Sequence, residues 1–234
     1  MSSSRLVDAP RGATPAPEQA APGDDSAKRR QILDGARAVF MAQGFDGASM
    51  NDVAREAGVS KGTLYVYFAS KEALFEALIR QDKQTQAERL CDFDPALPLE
   101  TALARFGEAV MTAMARPASI AQIRTVIGVT SKFPQIGRAF HEAGPEYGAR
   151  RLAAYLDGQT AAGRLAIVDA RAAATLFLDL CKSGLFSRLV FGVVETIGAE
   201  EISANVARAV EAFCAVYAVR PQAGLRTDST SASP

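Results

Sequence analysis

Residues 58–75 read GVSKGTLYVYFASKEALF, and the order of residue types in this stretch decides the fold. A glycine free to take positive φ comes first, then a serine suited to capping a helix, then a short segment with Leu64 and Phe68 one turn apart. Just upstream, SMNDVAREA (49–57) has Ser49 in N-cap position and Asp52 three residues on, capping-box spacing with Asp in place of the usual Glu or Gln. Two short helices joined by Ala57-Gly58-Val59, and locked by Ala54, Val59, Leu64 and Phe68, make a helix-turn-helix. With Leu64 and Phe68 turned inward, a step of about 100° per residue puts Gly62 and Val66 outward, flanked by Lys61, Thr63, Tyr65 and Tyr67. These side chains are the candidates for a DNA groove.

Working outward, a first helix is predicted over 27–43, with Ile32, Ala36, Val39 and Phe40 on one face and Gly44 stopping it. Lys28, Arg29 and Arg30 oppose the helix dipole at its start, a local penalty that points to use against a DNA backbone. Ser70 caps a fourth helix that carries Leu74, Leu78 and Ile79 toward Leu90.

Taken together, the 58–75 stretch, the SMNDVAREA segment and the helix before them resemble the signature of the tetracycline-repressor (TetR/AcrR) family over 28–79. By matching position, the resemblance implies that Lys61 and Gly62 approach base edges, Val66 meets a thymine methyl and Asn51 reaches a base. It further implies that Ser49, Ser60, Thr63, Tyr65, Tyr67 and Lys71 hold phosphates. The chemistry suits those roles, since Lys donates to guanine O6/N7, Asn pairs with adenine, and hydroxyl and ammonium groups suit phosphate oxygens. Ser49, Ser60 and Ser70 are equally explained as helix caps.

Composition narrows the classes. The 234-residue chain has formal net charge +0, and from Ser26 to Leu90 ten Lys/Arg face eight Asp/Glu, so bulk charge does not draw it to DNA. Cys91, Cys181 and Cys214 are far apart with no CxxC pairing, and His141 is the one histidine, so no metal site, no cofactor and no disulfide framework is predicted. One histidine, no GxSxG elbow and no Gly-rich loop after a strand leave enzymatic acid/base or nucleophilic chemistry without a visible team. With no signal-peptide pattern and no apolar run of membrane-spanning length, the expectation is a cytoplasmic protein that does not engage a membrane.

The predicted fold is all-α, with a disordered arm at 1–25, a three-helix helix-turn-helix domain at 26–72, a larger helical ligand-binding and dimerisation domain at 73–220 (73–90 the linking helix), and a disordered tail at 221–234. Further helices are expected at 119–131, 135–142, 145–162, 169–191 and 199–218. The runs at 125–156 and 163–185 are similar to the C-terminal domain of the AefR-like subgroup of the same regulators. That resemblance implies a homodimer through a four-helix interface, for which the apolar Leu185, Phe186, Leu189, Val206, Val210 and Phe213 are the candidates; an intramolecular core is the alternative. It also implies a pocket for a small-molecule inducer. Phe106, Met111, Met114, Ile127, Phe133, Phe140 and Phe177 are candidates for its lining, each equally a core residue, and His141 is a pocket group or a helix-end residue. The scarcity of charge at core positions predicts a mostly apolar ligand. The implied function is a dimeric repressor released from a double-stranded DNA operator by that ligand, with efflux control a common role; an activator or ligand-independent regulator would carry the same DNA-binding residues.

Overall fold

The computed structural model describes residues 22–91, 93–94 and 96–219, and among them the only regular secondary structure is helical. The helices are α1 (Pro22–Gly47), α2 (Met50–Glu56), α3 (Lys61–Tyr67), α4 (Lys71–Leu90), α5 (Leu99–Ala115), α6 (Pro117–Thr130) and α7 (Pro134–His141). A π-helical turn (Glu142–Glu146) then leads into α8 (Tyr147–Ala161), followed by α9 (Ala170–Lys182), α10 (Phe186–Val190) and α11 (Ala199–Tyr217). The expected arm overlaps the start of α1, which is helical from Pro22; the rest of the arm and the expected tail lie outside the described residues.

Side-chain caps start four helices where the sequence places them. Ser49, Ser60, Ser70 and Asp169 accept from the backbone N–H of Asp52, Thr63, Ala73 and Ala172. Gly44, the expected stop, takes positive φ and breaks the helix, so that the stretch through Gly47 is a separate turn beyond a kink, and Gly163 and Gly192 end their helices at positive φ in the same way. The single helix expected at 169–191 is instead two, because Gly184 at φ 74° turns the chain between α9 and α10. The two helices expected on either side of Ala143 and Gly144 are joined through the π turn around Pro145, whose missing N–H cannot extend an α ladder.

Two main cores result. One joins α1–α4 to α6 and α7: Val126, Val129 and Ile136 are buried together with Ile32, Leu33, Leu64, Leu74 and Ile79, and the Phe133 ring sits 5.6 Å from that of Phe45. Sequence places a domain border after residue 72, yet this core crosses it. Arg37 of α1 adds an ion pair to Asp82 of α4 at 2.5 Å. The other core packs α5, α8, α9 and α11, with Phe177 and Phe213 edge to face at 5.4 Å between ring centroids. Gly107 lets α5 come close there, since a Cβ would meet Val206 at 2.8 Å.

The dimer-face expectation needs correction. Leu185, Leu189, Val206, Val210 and Phe213 are buried within the chain itself, and Phe186 is half-buried against the small cluster around Ile120 and Ile123. Helical periodicity marks an apolar face as needing cover but does not say whose residues cover it. Among the described residues, the large apolar side chains left exposed on or beside α9, α10 and α11 are Val168, Leu176, Phe191, Val193, Val216 and Val219.

Candidate nucleic-acid interface and ligand cavity

The outward face of the helix-turn-helix is built from the turn upward. Gly58 at φ 62° reverses the chain, and the Val59 N–H donates to the Ala54 carbonyl at 3.0 Å, closing α2. Behind the turn, Gly35 of α1 passes so close that a Cβ there would lie 2.7 Å from Ala57. The Gln31 amide donates to the Ala57 carbonyl at 2.6 Å and accepts from Lys28 at 3.2 Å. The turn is thereby fixed to α1, and α3 projects from it with only Leu64 fully inward.

Asn51, Ser60, Lys61, Gly62, Tyr65 and Val66 are exposed, Val66 at 83%. The Lys61 ammonium lies 6.0 Å from the centre of the Tyr65 ring. Thr63 is half-buried, its hydroxyl 2.8 Å from that of Ser60, and Tyr67 packs partly against the core. Arg29 stands over the Phe68 ring at 5.2 Å, beside the end of α3. This arrangement leaves a cation, an amide, hydroxyls and one apolar tip exposed on α2 and α3, side-chain types suited to phosphates and base edges.

Two residues have other employment. The Ser49 hydroxyl donates to the Asp52 carboxylate at 2.5 Å, and that bond, with Arg55 at 2.6 Å, holds Asp52 below the usual carboxylate range. Lys71 directs its ammonium at the carbonyls of Phe45, Ala48 and Asp46, at 2.8, 3.1 and 3.4 Å, and rests over the Phe45 ring. All three of its N–H donors are engaged, so it is a strut of the α1–α2 connection.

A cavity of about 420 Å³ opens between α4, α5, α6, the α7–π-turn segment and α9. Of the expected lining, Phe106, Met114, Phe140 and His141 are on its wall. Met111 and Phe177 are fully buried in the core, Phe133 belongs to the helix-turn-helix core, and Ile127 points outward at 60% exposure. Sequence reading missed Lys83, which lies on the same wall and is 8% exposed. Burial lowers its ammonium to about 8. No periodicity signals such a residue, since a lysine in a helix is ordinarily solvated. The wall also holds Arg171, paired with Glu146, and Lys182, 2.6 Å from Asp179. Among the described residues, no cluster of His, Cys, Asp and Glu could hold a metal, and no helix is long and apolar enough to cross a membrane.

Comparison with known proteins agrees with this layout. Residues 32–78 match the profile of bacterial regulatory proteins of the tetR family, and 101–219 that of the AefR-like transcriptional repressor C-terminal domain. The helix-turn-helix segment is 44% identical over 62 residues to the HTH-type transcriptional repressor Rv1474c of Mycobacterium tuberculosis and 44% over 61 residues to UidR of Escherichia coli K12. These matches cover 26% of the chain and about a third of each relative, 33% and 31%. Solved structures align along nearly their full length. The Flavonoid-responsive Regulator FrrA is 32% identical with TM-score 0.70, covering 84% of this chain and 100% of that one. A TetR-family regulator from Mesorhizobium loti is 26% identical with TM-score 0.73, covering 83% and 98%.

Proposed function

Because the chain belongs to the TetR family of DNA-binding transcriptional regulators, with an AefR-like C-terminal domain, we propose that it is a cytoplasmic, homodimeric repressor released from its operator by a small, mostly apolar ligand. The observation that carries this reading is the sharing of α6 and α7 between two sites. Ile123, Phe140 and His141 line the cavity, while Val126, Val129 and Ile136 of the same helices, with Phe133 at the residue before α7, are packed into the helix-turn-helix core. A ligand that binds better when α7 is displaced would shift the reading head with it, and only such differential binding can change DNA affinity.

Lys61, Gly62, Val66 and Asn51 are proposed as base-edge contacts, and Ser60, Thr63, Tyr65 and Tyr67 as phosphate contacts. Lys71 and Ser49 leave that set for the structural reasons above. A recognition helix of seven residues reads few bases, and two copies about 34 to 36 Å apart would read successive major grooves, which is the case for a dimer. The cavity volume lies within the range of small-molecule sites. FrrA, by its name, responds to flavonoids, and a flat aromatic ligand of that size is proposed here too; regulation of an efflux system would fit such a ligand.

The test is a gel shift with the DNA upstream of the protein's own gene, at fixed salt, with and without planar aromatic compounds. Retardation that such a compound reverses is the expected result. Retardation that no cavity-binding compound alters would leave a DNA-binding regulator without ligand control.

A further inference from the structure

The charges around the cavity do not balance. Arg171 is matched by Glu146 and Lys182 by Asp179, whereas Lys83 forms no ion pair among the described residues. Its polar contacts are a long hydrogen bond to the Gln86 side chain at 3.4 Å and the face of the Phe140 ring, 4.6 Å from Nζ. Its alkyl stem passes over Gly144 of the π turn, where a Cβ would meet Lys83 Cδ at 3.4 Å. The stem thus runs along Gly144 within van der Waals range, placing the ammonium on the cavity wall. Asp82 attracts this ammonium without forming an ion pair with it; an enclosed cation so weakly compensated is costly, and an anion that pairs with it directly offsets part of that cost, while burial of the anion's apolar body works against its own desolvation.

Resting on the ligand reading above, we propose that the cavity accepts an aromatic molecule carrying a single acidic group, with Lys83 Nζ as the partner of that anion. Phe106, Val110, Met114, Ile123, Leu178 and Phe186 offer the apolar body its contacts. Ser119, Thr175 and Gln86 supply neutral polar contacts on the same wall. With a value near 8, Lys83 still carries its proton at neutral pH, so the pairing is available under ordinary conditions.

The experiment uses the full chain at pH 7 and two matched probe pairs, 2-naphthoate with 2-naphthamide and anthracene-9-carboxylate with its carboxamide. Each is followed by thermal shift and isothermal titration calorimetry. The wild type should prefer the acids by about tenfold or more, the gain of a charge-assisted hydrogen bond. Lys83→Met, which keeps the stem and removes the charge, should bind acid and amide within about twofold, and Lys83→Arg should retain part of the preference. The helical circular dichroism of both variants is checked first, with Lys83→Gln as the alternative should Lys83→Met fail to fold. Equal binding of acids and amides by the wild type, or a preference for acids that survives loss of the charge, would overturn the anion assignment while leaving the cavity as a ligand site. If neither member of either pair binds the wild type, the ligand reading falls together with it.

Discussion

At the scale of single residues, two lysines ten positions apart on the reading head are expected to behave oppositely. Lys61 is exposed and proposed to contact a base edge, so Lys61→Ala should weaken operator binding by about 1–3 kcal/mol and relax specificity at the base it reads, with the melting curve unchanged. Lys71→Ala removes three bonds to carbonyls of the α1–α2 connection. It should lower the unfolding free energy by roughly 1.5–3 kcal/mol, read as a lower urea midpoint, as hydrogen bonds to a charged group are lost. A melting curve unchanged by Lys71→Ala would show that the strut carries no stability. Lys83 gives a third case, through pH. Folded, it loses its proton near 8; unfolded, near about 10.4. Between those values the unfolded chain binds more protons, so this residue's penalty is complete below pH 8 and fades as pH rises. Lys83→Met should therefore be more stable than the wild type at pH 7, by up to on the order of 2–3 kcal/mol, with the gap closing toward pH 10 in paired denaturation curves.

Among the elements, α7 is the decisive one, since its end meets the cavity and Phe133, which caps its start, meets the Phe45 ring. Phe133→Ala should leave ligand affinity nearly unchanged and cut the ligand-induced loss of operator binding by about threefold or more, a difference visible only when both are titrated. Which elements could be read in advance follows from how local their causes are. Ser49, Ser60, Ser70 and Asp169 announce helix starts because each cap acts within three residues. Gly58 announces the turn for the same reason. The break at Gly184 stays hidden because the apolar run on either side of it satisfies a helical period, and the π turn because Pro145 falls where a loop is equally plausible. Half of the expected cavity lining lies elsewhere because an apolar residue at helical spacing looks the same in sequence whether it faces a core or a void, and Lys83 carries no signal because a lysine in a helix is ordinarily solvated.

For the molecule as a whole, the outstanding question is what covers the apolar side chains that the chain leaves outside. Leu176 of α9 and Val216 of α11 are exposed beside helices whose inner faces are fully used. If the proposed dimer forms through this face, the double variant Leu176→Asp, Val216→Asp should elute as a monomer by light-scattering chromatography. It should also lose most operator affinity, because each copy then reads its half-site alone. A dimer that persists would move the interface elsewhere, with Phe191 and Val193 the next exposed apolar positions to test.

The core that runs from α1–α4 into α6 and α7 bears on anyone who wishes to recombine these proteins. Exchanging residues 22–90 for the corresponding piece of a relative, to redirect a sensor to a new promoter, would cut through a packed surface at a seam visible only in the sequence. A working chimera should need Val126, Val129, Phe133 and Ile136 to travel with the graft, so the unit of inheritance for promoter choice is larger than the segment that touches the promoter.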